Sequence, residues 1–283
     1  MIELTTVSSW RQHARSAREG GASVGLVATM GALHRGHESL FASARETCDV
    51  VLATLFVNPR QFGDDADLAR YPRTLEVDRE IARRAGVDCL VVPSLEEMWP
   101  DYPRCTPTTV SVRGVSDSFE GVGRPGHFDG VASVVAKLLA ISEPTHAFFG
   151  EKDYQQLCVV RQLTRDLGFE AKVVGCPIVR DDDGLALSSR NVRLSDEGRH
   201  RALGLSHALS EVSQMNAPAS ALRARMRAVL ESSGVEVDYA DVVDPHTLVP
   251  SRDDEAGVRR ALVAGDVEGV RLLDNGPVAV VKN

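Results

Sequence analysis

Short unbroken apolar runs alternate, over the first two thirds of the chain, with longer stretches in which apolar and charged positions interleave. Residues 22–29 (ASVGLVAT) and 49–56 (DVVLATLF) read as strands buried on both faces. Residues 87–92, 145–149 and 173–176 repeat that pattern in shorter form. Between the runs, residues 8–18, 38–47 and 130–141 read as helices, and a helical pattern follows residue 150 as far as residue 167. Residues 64–84 are charged with intermittent apolar positions, and residues 93–122, rich in proline and glycine, read as loops around one short strand at 108–112. The alternation predicts a parallel sheet with helices on both faces, without revealing the strand order.

The pattern changes beyond residue 176. Residues 195–212 and 219–232 read as helices, followed by short strands near 235–243, 257–264 and 267–274. Asn275-Gly276-Pro277 reads as a turn leading into a last strand at 278–281. The expected architecture is α/β, with a main domain over residues 1–176 and a smaller C-terminal α+β domain over 177–283. No fixed-period repeat interrupts it.

Composition narrows the class of protein. The chain of 283 residues is 43% hydrophobic and 25% charged, which suits a folded protein and argues against disorder. A net charge of -8 disfavours a protein that coats nucleic acid, because such binding depends on neutralising phosphates, yet it leaves room for a local basic pocket. Cys48, Cys89, Cys105, Cys158 and Cys176 are widely spaced and odd in number, as expected of thiols in a reducing compartment. The first 20 residues lack a continuous apolar segment and no stretch reaches the length of a membrane span, so the expected location is cytoplasmic.

Three segments carry candidate chemistry. The first, MGALHRGH, runs through Met30, Gly31, Ala32, Leu33, His34, Arg35, Gly36 and His37, between a strand and a helix. A helix entered here would offer free backbone N–H groups to an oxyanion, with both imidazoles converging on it. The same residues also fit a glycine-rich surface turn, and a zinc site would need further ligands that the spacing does not supply. The segment matches neither the P-loop nor the dinucleotide fingerprint. The second segment, GEKDYQQL, sets Gly150, Glu151, Lys152 and Asp153 after a strand. Lys152 suits phosphate oxygens, Asp153 a ribose hydroxyl or a cation, and Gln156 a polar substrate, although the segment also fits the polar start of a helix. In the third, Leu187, Ser188, Ser189 and Arg190 place two hydroxyls beside a guanidinium, as a phosphate clamp or as a serine-rich helix cap. Asp181–Gly184, DDDG, lacks the ordered spacing of a calcium loop and reads as solvated.

MGALHRGH, FVNPRQFG, GRPGHFDGV, FFGEKDYQQL and LALSSRN occur in this order, and together they resemble the pantothenate synthetase (pantoate–beta-alanine ligase) family over nearly the whole chain. The resemblance implies a Rossmann-like nucleotidyltransferase domain and a C-terminal lid. It implies condensation of pantoate with beta-alanine, through pantoyl adenylate, with ATP converted to AMP and pyrophosphate. Mg2+ and a homodimer are the expected cofactor and assembly, and no metal ligand is assigned. Residue by residue, it places Met30–His37, Gly150–Asp153, Val179 and Leu187–Arg190 at ATP, with His34, His37, Lys152 and Arg190 in catalytic roles. Gln61 and Gln156 are implied for pantoate, Gln61 also for beta-alanine. Asn58 falls in the substrate-side loop, His127 and Asp129 in a family-like segment, and Arg60 and Leu187 at positions that vary. His37 is left with two candidate duties, proton transfer from beta-alanine's amine or polarisation of phosphate. A related enzyme that transfers AMP without forming an amide, and an inactive ATP-binding module, are the competing readings.

Overall fold

The computed structural model describes residues 1–63, 65–105 and 107–282; Asp64, which opens the charged stretch, Thr106, within the proline- and glycine-rich loops, and Asn283, which ends the expected C-terminal domain, lie outside them. The chain divides into two compact units, one comprising residues 1–151 and 155–177, the other 152–154 and 178–283.

The first unit opens with β1 (Ile2–Leu4), α1 (Val7–Glu19), β2 (Val24–Thr29), α2 (Arg35–Thr47) and β3 (Val50–Leu55). A 3-10 turn at Pro59–Gln61 precedes α3 (Asp65–Arg70), α4 (Leu75–Arg84), β4 (Cys89–Val91), α5 (Leu95–Met98) and α6 (Glu120–Gly123). Then come α7 (His127–Ser142), β5 (His146–Gly150), α8 (Tyr154–Asp166), whose first residue belongs to the second unit, and β6 (Lys172–Cys176).

The six strands form one sheet in the order β1-β4-β3-β2-β5-β6, and every ladder in it is parallel. The order reverses between β2 and β5, so the chain winds outward in both directions from that pair, leaving a crevice at their carboxyl ends. On one face, Val51, Ala53 and Leu55 of β3 join Phe41 and Ala44 of α2 and Ile81 of α4 in an apolar cluster. The intervening Leu52 is equally buried, as a two-sided sheet requires. α1 and α7 pack on each other and against β2. Gly130 of α7 fits only as glycine, since a Cβ there would lie 2.1 Å from the Arg60 carbonyl oxygen. That close approach seats α7 directly on the Pro59–Gln61 turn.

The predicted strand at residues 108–112 does not form. The Val110 amide is taken by the Ser133 hydroxyl and the Thr108 carbonyl by Arg60, so this segment is held by side chains and not by a ladder. β1, by contrast, is a strand that three residues were too short to announce.

In the second unit, α9 (Asp196–Ser213) and α10 (Ala219–Ser232) accompany an antiparallel sheet of β7 (Glu236–Val243), β8 (Gly257–Val267) and β9 (Val270–Val280), in that order. Leu205, Leu209, Leu222, Met226, Leu230, Val263 and Leu272 belong to its apolar core. The expected turn at Asn275-Gly276-Pro277 is a correction: these residues lie within β9, opposite Leu262, Ala261 and Arg260. β9 is an edge strand, where a proline's missing N–H is tolerated. The reversal between β8 and β9, expected between the strands read at 257–264 and 267–274, falls at Glu268 and Gly269, both left-handed at φ 58° and 73°, as a tight hairpin requires. Among the described residues, no helix is long and apolar enough to cross a membrane.

Candidate active site

The carboxyl end of β2 delivers the chain directly into Met30–His37. Gly31 has φ +82° and Ala32 φ +50°, so two successive left-handed residues turn the backbone before α2 begins. The loop is held by Asp78 of α4, only 2% exposed, whose carboxylate accepts the amides of Ala32 (3.0 Å) and Leu33 (2.8 Å) and the Thr74 hydroxyl (3.1 Å). A Cβ on Gly31 would sit 2.9 Å from that carboxylate, which fixes glycine there by space as well as by dihedral angle.

α2 starts at Arg35, earlier than the pattern suggested, and His34 is its N-cap. Nδ1 of His34 accepts the Gly36 amide at 3.1 Å, and Nδ1 of His37 accepts the His34 amide at 3.2 Å, a reciprocal capping box built from two imidazoles. Their ring centroids are 4.1 Å apart. With Nδ1 accepting in both, each neutral ring carries its proton on Nε2 and presents a donor there.

These contacts correct the expectation of a backbone anion cradle. The Gly31 amide is directed to the Thr29 hydroxyl, those of Ala32 and Leu33 to Asp78, and those of His34 and Gly36 to the imidazoles. Toward an anion the segment turns the positive end of α2, with the imidazole Nε2–H groups as candidate donors.

The turn that follows β3 positions Gln61, which is 9% exposed. Trp99 Nε1 donates to Asn58 Oδ1 (3.0 Å), and Asn58 Nδ2 donates to Gln61 Oε1 and to the Gly130 carbonyl, each at 3.1 Å. Gln61 Nε2 then donates to the thioether of Met30. His127 Nδ1 donates to the Gln61 carbonyl at 2.8 Å and accepts at Nε2 from Arg124, so it holds the backbone of the turn. Arg60 lies over Trp99; burial pushes its pKa down and the charge of Asp129 works against that shift. Trp99 and Asp78 had no place in the sequence reading, and Arg124 entered it only within GRPGHFDGV, without a role. Of the first two, only Asp78 left a trace, standing three and four positions before the buried Ile81 and Ala82 on the apolar face of its helix.

The two adjacent glutamines of α8 divide their duties. Gln155 is 5% exposed and fully engaged, accepting the Glu120 amide and donating to the carbonyls of Val115 and Ser118. The side-chain amide of Gln156, half-buried, has no hydrogen-bond partner among the described residues. Gly150 ends β5 opposite Cys176, and Glu151 follows it, half-buried. Burial pushes the Cys89 thiol up to about 12 and raises those of Cys48 and Cys176, which makes them packing groups and not nucleophiles.

Lys152, Asp153 and the SSR segment fall in the second unit. Lys152 Nζ pairs with Asp153 at 3.3 Å, and the Lys152 side chain is 21% exposed. The Leu187 amide donates to the Val179 carbonyl at 3.0 Å, closing a hairpin whose far end is the acidic loop. That loop is an ion-pair anchor: Asp181 and Asp183 both bind Arg199 of α9 at 2.7 Å, and Arg199 holds the Asp183 carboxyl below the usual range against the opposing effect of burial. Beyond the hairpin, Ser188 Oγ accepts the Arg190 amide, while Ser189 and Arg190 are half-buried.

No group of three or more His, Cys, Asp or Glu side chains is arranged to hold a metal among the described residues. Mg2+ commonly keeps several waters and binds through one or two carboxylates together with substrate phosphates, so a protein cage is not what it requires.

In doubly wound sheets, ligands bind outside the carboxyl ends of the strands at the switch point. The histidine-capped helix after β2 and the segment after β5 leave the sheet at that point, which is where an α/β enzyme receives an anionic substrate. The chain belongs to the pantoate-beta-alanine ligase family, whose sequence profile matches residues 3–277. Pantothenate synthetase of Cereibacter sphaeroides is 48% identical over 279 residues, covering 97% of this chain and 99% of that protein. The crystal structure of pantothenate synthetase from Thermus thermophilus is similar at a TM-score of 0.89 and 45% identity, covering 98% of this chain and 99% of that one. A pantoate-beta-alanine ligase from Francisella tularensis, complexed with beta-gamma ATP and beta-alanine, is similar at 0.81 and 32% identity, with 98% and 97% coverage.

Proposed function

We propose that this chain condenses pantoate with beta-alanine at the expense of ATP, forming pantothenate, AMP and pyrophosphate through pantoyl adenylate. The observation that carries the reading is the imidazole pair at the switch point, in a chain of this family. The Francisella complex supports ATP and beta-alanine as substrates.

In the first step the pantoate carboxylate attacks the α-phosphorus of ATP and pyrophosphate leaves. The carboxylate is already an anion, so the step needs no base; it needs alignment and countercharge. His34 and His37 donate from Nε2 to phosphate oxygens, Lys152 and Arg190 balance charge on the departing pyrophosphate, and Ser188 and Ser189 offer hydroxyls. Met30–Gly36, Gly150–Asp153, Val179 and Leu187 frame the nucleotide. Gln156 offers an unengaged amide to pantoate. Gln61 offers an N–H now directed at a thioether, a weak acceptor that a substrate oxygen readily displaces. Mg2+ accompanies the triphosphate in this reading, and none of the chain's own roles depends on a step through it.

In the second step the amine of beta-alanine, bound beside Gln61, attacks the acyl carbon and AMP leaves. The amine must shed a proton, and the geometry argues against His37 as its acceptor. Nδ1 of His37 is occupied by the His34 amide and Nε2 of the neutral ring carries a hydrogen, so the ring is a donor to phosphate. Solvent is then the route for the proton.

The C-terminal region acts as the lid that keeps water from the adenylate. The enzyme is cytoplasmic, a reading supported by five cysteines of which none is in a disulfide, and assembles as a homodimer, which light scattering tests. The chemistry is tested by isotope exchange between pyrophosphate and ATP. Exchange that requires pantoate but not beta-alanine is expected; exchange that requires beta-alanine would rule out the separate adenylate step.

A further inference from the structure

Asp274 and Asn275 are consecutive residues of β9, 3% and 2% exposed, and neither belonged to the three segments that carry candidate chemistry. Asn275 Nδ2 donates to the backbone carbonyl of Lys152 at 2.8 Å. Its Oδ1 accepts Nε of Arg260 at 2.7 Å, and Arg260 in turn lies 4.0 Å over the ring of Tyr154. The amide of Asn275 donates to Asp274 at 2.8 Å. Asp274 takes both terminal nitrogens of Arg180 in a bidentate pair, and Arg180 also donates to the Gly184 carbonyl at 3.1 Å. Arg180 faces Ala186 across the bridge of the hairpin that leads into Leu187–Arg190.

We infer that Asp274 and Asn275 are positioning residues for the two phosphate-handling segments, Asn275 fixing the backbone at Lys152 and Asp274 fixing, through Arg180, the hairpin that presents Ser188, Ser189 and Arg190. Buried polar groups on one rigid strand suit this task, because both segments then take their position from the same short piece of backbone. Bidentate pairing sets the direction of the Arg180 guanidinium as well as its location. The side-chain amide of Asn275 accepts from Arg260 with one end and donates to Lys152 with the other, which neither a carboxylate nor an aliphatic group can do.

The inference rests on the reading of Lys152 and Arg190 as phosphate ligands, and double-mutant cycles separate the two claims. Pantoate-dependent ATP–pyrophosphate exchange is measured for Asn275→Ala, Lys152→Ala and the double variant, with thermal melting of each. Asn275→Ser enters the cycle if Asn275→Ala does not fold. Loss of one well-placed hydrogen bond predicts about a tenfold fall in exchange for the Asn275 variant, with KM for ATP raised and KM for pantoate unchanged. In the Lys152→Ala background the same change costs nothing further. An equal loss in both backgrounds would overturn the positioning role while leaving Lys152 as a phosphate ligand. Full activity of Lys152→Ala would overturn the Lys152 reading, and the Asn275 assignment with it. The parallel cycle of Asp274→Asn with Arg190→Ala tests the second arm by the same criterion.

Discussion

The His34 amide donates to Nδ1 of His37 across 3.2 Å, and His34 itself accepts the Gly36 amide through its own Nδ1. Helix capping and tautomer choice are thus one arrangement: the bonds that start α2 also turn both Nε2–H groups into donors. His37→Asn separates the two, because asparagine can accept at the Nδ1 position but has nothing to offer at Nε2. The expected result is a melting temperature close to that of the parent, with formation of pantoyl adenylate slowed about 100-fold. Rapid quench of single turnovers checks it. A normal first step with a slow reaction of beta-alanine would instead assign His37 to proton transfer.

Asp78 is the support beneath that helix start. Asp78→Ala leaves the Ala32 and Leu33 amides without their acceptor in a buried place, and a destabilisation of about 3 kcal/mol is expected. Gly31→Ala puts a methyl against the same carboxylate at a positive φ, at a cost of about 2 kcal/mol. Denaturant unfolding of the two variants measures both.

Gln155 and Gln156 should give opposite phenotypes although they are neighbours. Gln155→Ala removes the partner of the Glu120 amide and of two carbonyls, so its effect is on stability, about 2 kcal/mol. Gln156→Ala should melt like the parent and raise KM for pantoate about tenfold. Substrate titrations alongside thermal melting distinguish them.

How much of this was legible in the sequence depended on whether the deciding contact was local. The buried strands at β2 and β3 and the helices α9 and α10 follow from apolar runs and helical periodicity, and the structure has them within a residue or two of the predicted bounds. Asn275-Gly276-Pro277 has the composition of a turn, yet pairing with β8 carries the strand through it. The reversal between β8 and β9, read between residues 264 and 267, lies close by at Glu268 and Gly269, so the Asn-Gly-Pro run added a turn where the strand continues. The candidate motif at Met30–His37 was visible, but the destination of its amides was not, because Asp78 lies some forty-five residues away in sequence. Trp99 was invisible for the same reason: its link to Gln61 runs through Asn58 and exists only once the chain is folded.

Acid sensitivity should track carboxylates that cap local structure. Glu268 accepts the hydroxyl and amide of Ser195, and these bonds hold its pKa below the ordinary carboxylate range. Asp253 with Ser220 and Asp49 with Ser23 are held down in the same way. A depressed folded-state pKa contributes stability above the unfolded value, roughly pH 4, and that contribution is lost as pH falls through the folded value. Glu268→Gln should therefore melt below the parent at pH 7, with the difference shrinking as the pH drops under about 4. Melting curves across that range test the sign.

The most direct measurement of the central claim is mass spectrometry of the products formed from pantoate, beta-alanine, ATP and Mg2+, with each component left out in turn. The account predicts pantothenate and AMP in equal amounts when all are present, and no pantothenate when pantoate, beta-alanine or ATP is missing. AMP formed without pantothenate in the complete mixture would contradict it, leaving a nucleotidyl transfer that does not build an amide.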